Sequence, residues 1–122
     1  TVNSVFMSIP APLAFSAIAA ISTATAIVLT DAITSLATTT GINITLLAGA
    51  VGQFKFITSG TEQITNVIPA STGGAYARIV TTNIGENYTL LFHTTTVTGW
   101  YTISMADGKA AAADGAATII RA

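Results

Sequence analysis

The sequence predicts an all-β chain, a compact β-sandwich or barrel of jelly-roll or tulip-like type with an extended N-terminal arm. Short runs rich in Thr, Val, Ile and aromatic residues recur along the chain, at the spacing of about 8–12 residues that sandwiches and barrels show. Turns containing glycine separate them. Several runs alternate apolar and polar residues, the period of a strand with one face buried.

Residues 1–16, TVNSVFMSIPAPLAFS, form the arm, and residues 17–122 form a single β domain. Pro10 and Pro12 fix φ and remove amide donors, which disfavours both helix and central strand. Val5, Phe6, Met7, Ile9, Leu13 and Phe15 are apolar without a helical stripe. Such a segment needs a cover. Either it closes the domain's own core as a strand, or it lies on a neighbouring subunit.

Residues 17–47 alternate small aliphatics with Ser and Thr. Ala-rich 17–23 could form a short helix. The β-branched run that follows favours strands near 24–30, 33–38 and 42–47, with a turn at Gly41. Between Gly52 and Gly60, Phe54 and Phe56 face one way and Lys55 the other, which places Lys55 outside as a solubilising charge. Further strands are expected at 62–68, ended by Pro69, then at 76–82, 88–94, 99–104 and 117–121. Asn83 to Asn87 makes a turn, and Asp107-Gly108 and Asp114-Gly115 are hairpin dipeptides. The echo of ADGKAA in ADGAAT does not extend through the chain, which argues against a solenoid.

Composition narrows the function. Hydrophobic residues make up 51% of the chain and charged residues 7%, with a net charge of −1. Average domains carry about 25% charged residues, so a free monomer would be poorly protected against association. The chain is expected to be a homo-oligomer. Without a basic excess, nucleic acid is not an expected partner. Without cysteines there is no disulfide scaffold or cysteine zinc site. The uncharged stretch 11–29 is long enough to span a bilayer, yet it is mostly Ala, Ser and Thr and lacks flanking Lys, Arg or Trp. No membrane partner is expected.

Nothing in the sequence assembles a catalytic, metal or cofactor site. His93 is the only histidine, and it sits in a strand beside a threonine run, where an exposed or interface imidazole is the simpler reading. The carboxylates form no calcium loop, and Asp107 and Asp114 are explained by their turns. No GxGxxG is present. Trp100 and Tyr101 are the aromatics that could recognise a ligand at the surface by stacking on a sugar or base. Adjacent in one strand, one of the two must face inward.

From about residue 32 to residue 103 the chain resembles small β-rich structural proteins of tailed bacteriophages. The matching text is Gly49-Ala50-Val51-Gly52-Gln53-Phe54-Lys55, Pro69 with Gly73-Gly74, Gly85-Glu86-Asn87-Tyr88-Thr89-Leu90-Leu91-Phe92, and Gly99-Trp100. The resemblance implies a homotrimeric β domain on the outer surface of the virion, on the head or the tail. Small size and the lack of a shaft point to a head decoration or cement protein bound to the major capsid protein. On that reading Val5, Phe6, Met7, Ile9, Pro10, Pro12, Leu13 and Phe15 are the capsid or subunit interface. A small tail or fibre component, or a carbohydrate-binding adhesion module, is the alternative.

Overall fold

A computed structural model of the protein describes residues 18–72, 76–107 and 117–121. The N-terminal arm, Gly73-Gly74 and the Asp107-Gly108 and Asp114-Gly115 turns lie wholly or partly outside the described residues. Nine strands are described: β1 (Ala19–Ile21), β2 (Ile33–Leu36), β3 (Ile42–Leu46), β4 (Gln53–Ser59), β5 (Thr65–Pro69), β6 (Tyr76–Thr81), β7 (Asn87–Thr94), β8 (Thr98–Ala106) and β9 (Thr118–Arg121). They form two sheets, β1-β2-β4-β7-β8 and β3-β5-β6-β9, called here sheet A and sheet B. The sheets pack as a sandwich, and neither closes into a barrel. The described residues contain no helix, and so none that could cross a membrane.

The first half of the chain winds. β1, β2 and β4 pair in parallel in sheet A, and β3 and β5 pair in parallel in sheet B. Between β1 and β2 the chain crosses to sheet B, where Ile27 bridges Leu46 in parallel and its N–H donates to the Thr45 carbonyl at 2.8 Å. Residues 19–69 thus pass three times from sheet A to sheet B. This is a short coil, although the sequence argued against a solenoid. The second half is antiparallel: β6 and β9 extend sheet B, and β7 and β8 extend sheet A. Ala-rich 19–21 becomes a strand rather than a helix turn because β2 supplies its ladder, a tertiary override of propensity. In the expected strand 24–30 only Ile27 pairs.

The core lies between the sheets. Sheet A contributes Ile21, Leu36, Ile57, Tyr88, Leu90, Phe92 and Trp100, and sheet B contributes Ile44, Leu46, Val67, Tyr76 and Ile79. In β7 the alternation predicted from sequence holds, with Tyr88, Leu90 and Phe92 all inward. The turn before it is built as expected. Gly85 takes φ 93°, a conformation that favours glycine. The buried Glu86 carboxylate accepts bonds from the Thr82 N–H at 2.7 Å and the Thr82 hydroxyl at 3.2 Å.

β4 reverses the expectation. Lys55, Ile57 and Ser59 are the buried residues of this strand, and Phe54 is 47% exposed. Lys55 is fully buried, and its ammonium donates to the carbonyls of Val28 (2.8 Å) and Asp31. Gln53 donates to the Leu29 carbonyl between them at 2.8 Å. These acceptors belong to the segment between Ile27 and β2, which has no ladder to take its carbonyls. A buried carbonyl without a donor costs about 1–3 kcal/mol, so the lysine stem enters the sandwich and its head satisfies that segment. Burial lowers the Lys55 pKa from its ordinary value, and the charge of Asp31 opposes that shift.

Replacing Lys55 with Ala strips donors from two carbonyls and leaves a void. Urea denaturation should register a loss of about 2–4 kcal/mol, unusual for a lysine. The core tyrosines respond in opposite ways. Tyr76 donates to the Trp100 carbonyl at 3.0 Å, whereas the buried Tyr88 hydroxyl has no hydrogen-bond partner among the described residues. Tyr76→Phe should destabilise by about 1 kcal/mol, and Tyr88→Phe should be neutral or stabilising. Burial raises the Tyr76 pKa to about 12 and the Tyr88 pKa well above 10.0. The folded chain therefore keeps protons that the unfolded chain loses, and this contribution is full below pH 10 and falls as pH rises towards 12. Lys55 acts with the opposite sign as pH approaches 10.5 from below. Urea midpoints at pH 9 and pH 11 should show the net fall above pH 10.

Candidate functional site

The residues singled out from the sequence do not come together as one site. Val5, Phe6, Met7, Ile9, Pro10, Pro12, Leu13 and Phe15 lie outside the described residues. Trp100 and Tyr101 are described, and strand alternation sends them to opposite faces of β8. Trp100 points into the sandwich and is fully buried. It offers no ring to a ligand, which corrects its reading as a surface-recognition aromatic.

Trp100 is a packing joint. Its indole N–H donates to the Leu47 carbonyl at 2.9 Å, and its backbone N–H donates to the Ser71 carbonyl at 3.1 Å. Its carbonyl accepts the Tyr76 hydroxyl. Phe92 meets it edge to face, with centroids 5.1 Å apart. Gly49 lies directly on the ring: a Cβ there would sit 2.8 Å from Trp100 Cζ2 and 2.7 Å from Gln53 Oε1. The Gly-x-x-Gly-Gln-x-Lys text thus encodes close approach at Gly49, a left-handed turn at Gly52 (φ 92°) and the two donors Gln53 and Lys55.

Tyr101 faces outward. Its hydroxyl donates to the Val97 carbonyl at 2.8 Å and so accepts from Thr95 at 2.5 Å, which ties the ring to its own hairpin. The His93 ring lies against it, centroids 4.4 Å apart. An open groove of about 290 Å³ runs beside β8, lined by Tyr76, Tyr101, Thr102, Ile119 and Arg121. It brings a cation and aromatic residues together. No described group of three His, Cys, Asp or Glu residues is placed to hold a metal ion.

The outer face of sheet A is the most unusual surface. Register places Ile33 beside Phe56, Phe56 beside Thr89, Phe54 beside Leu91, and Leu91 beside Tyr101. The rings of Phe54 and Phe56 are stacked, with centroids 6.4 Å apart. Lys55 is the only charged residue in the five strands, and it points inward. Ser35, Thr58, Asn87 and Ser104 surround this centre with polar groups. Sequence reading missed the face because it assigned the two phenylalanines to the core.

Comparison with protein families, with curated proteins and with solved structures finds no match to this chain.

Gly49→Ala tests the Trp100 joint. The added methyl must push a packed indole as well as a movable glutamine, so a loss of about 1–3 kcal/mol is expected from thermal or urea unfolding. Trp100 fluorescence should shift at the same time.

Proposed function

We propose that this chain is a virion structural protein, a capsid decoration or cement protein that binds the outer surface of a bacteriophage head and stabilises contacts between major capsid subunits. The observation that carries it is the ordered pattern from Gly49 to Trp100, which resembles structural proteins of tailed phages. The roles of its residues support the reading. Gly49, Gly52, Gln53, Lys55, Gly85, Glu86 and Trp100 serve packing, turns and internal hydrogen bonds, as a pattern selected for architecture would. No step of chemistry is proposed for the chain, and the proposed assembly is a homotrimer. Copy number per particle, by quantitative mass spectrometry, tests this: hundreds of copies fit a capsid surface, and a few dozen or fewer would move the protein to the tail.

The groove of Tyr76, Tyr101, Thr102, Ile119 and Arg121 supports a second reading, an adhesion module for a carbohydrate or receptor. An aromatic ring and a guanidinium at one mouth suit a sugar bearing a carboxylate. Saturable binding to a glycan panel, lost in Arg121→Ala, would favour this module over a cement protein.

The arm supplies the sharpest test of the leading reading. Deleting residues 1–12 should release the protein from particles in a sedimentation assay, while far-UV circular dichroism and the unfolding midpoint keep their β-domain values. Retention on particles would sink the arm as anchor.

A further inference from the structure

We propose that residues 13–17 of the N-terminal arm fold back across the outer face of sheet A of the same chain, laying Leu13 and Phe15 over Phe54, Phe56 and Leu91. The inference goes beyond the capsid reading and does not depend on it. It takes Leu13 and Phe15 out of the contact between chains that the phage resemblance implies, and it leaves residues 1–12 as the anchor. The face to be covered is apolar at its centre. Phe54 is 47% exposed and stacks on Phe56, which makes a further interaction of its own. The pairing of β2 with β4 begins at Ile33 and Phe56, so Phe54 has a strand neighbour only on the β7 side, at Leu91. Among the described strands, a corner of the sheet is open beside it.

Connectivity selects the occupant. β1 is an edge strand of sheet A, and Ile18, just before it, is 58% exposed. The register of β1 on β2, continued by one residue, sets Ile18 level with Ile33 and hence with Phe56. Because β1, β2 and β4 run parallel, the chain before Ile18 arrives at the Phe54 end of the sheet. Adjacent strands lie about 4.8 Å apart, so β4 is about 10 Å from β1 and β7 about 14 Å. Phe15 is three residues from Ile18 and Leu13 is five, and extended chain covers at most about 3.5 Å per residue. Phe15 therefore reaches β4, and Leu13 reaches β7. In extended chain these two share one side, with Ala14 and Ser16 on the other. The segment thus has one large apolar side to set against the patch. Pro12 has no amide to donate to a ladder, which suits a segment that crosses strands and closes with side chains. A stable interface between chains buries about 800 Å² per partner, more than Phe54, Phe56, Leu91 and Tyr101 supply. A cover tethered to the same chain needs less, because its local concentration is already high.

The experiment is thiol labelling of Leu91→Cys in the full-length chain, which has no other cysteine. Adding Phe15→Ser should speed maleimide labelling several-fold, and adding Phe6→Ser should leave the rate as it was. The rate should not change with protein concentration. An unchanged rate with Phe15→Ser overturns the proposal, as does an equal rise with Phe6→Ser. Labelling that slows as concentration rises also overturns it, because the cover would then come from another copy. Should Leu91→Cys not fold, NMR on the wild-type chain reads the same contact. Nuclear Overhauser cross-peaks should join the Phe15 ring to Phe54 or Phe56, and they should be absent from an isotope-filtered spectrum of mixed labelled and unlabelled chains. Missing intrachain cross-peaks, or cross-peaks in the filtered spectrum, sink the cover. Deleting residues 1–12 leaves Leu13 and Phe15 in place, so particle binding is scored separately from this contact.

Discussion

The Lys55 ammonium lies inside the sandwich on the carbonyls of Val28 and Asp31, with Gln53 on the carbonyl of Leu29 between them. That contact holds the crossing from sheet B back to sheet A, the step by which the chain begins its second pass. It also sets the register of β4. With a side-chain period of 2, an inward Lys55 obliges Ile57 and Ser59 to face inward and Phe54 and Phe56 to face out. A slip of one residue would bury the phenylalanines, expose the lysine and leave the 28–31 carbonyls without donors. The apolar outer face and the internal clamp are therefore two consequences of one register.

Trp100 plays the corresponding role just before β4. Gly49, which precedes β4, and Leu47, which follows β3, both rest on the indole. Ser71, after β5, pairs with the backbone of Trp100, and Tyr76, opening β6, donates to its carbonyl. Segments from both sheets thus converge on one residue. A substitution that shrinks the ring would loosen the Leu47 and Gly49 connections, which the indole makes, whereas removing the exposed Ile103 or Val97 side chains would disturb none of them.

The legible parts of the sequence were those where local chemistry decides. The turn around Gly85 was readable because glycine suits its φ, and β7 because Tyr88, Leu90 and Phe92 alternate against polar neighbours. Of Trp100 and Tyr101, one ring had to face inward, and strand geometry alone required it. Lys55 was misread for a physical reason. Hydropathy ranks a lysine as outside and a phenylalanine as inside, and it holds no information about carbonyls 24 to 27 residues earlier in the chain that lack donors. The coil over 19–69 was hidden similarly. Parallel partners are offset by 15 residues between β1 and β2 but by 23 between β2 and β4, so no fixed period exists for a repeat search to find.

The scarcity of charge takes on a spatial meaning once the strands are placed. Sheet A has one charge in its five strands and hides it, while sheet B carries Arg78 exposed on its outer side and Arg121 at its edge. A chain lacking charge merely through composition would leave both faces equally dry. Here the two faces differ, and the dry one is also where a buried lysine holds two phenylalanines outward at the expense of solubility. Such an arrangement is stable in water only if something apolar covers it. The same register that closes the core around Lys55, Ile57 and Ser59 therefore also fixes the apolar character of the outer face, and neither can change without the other.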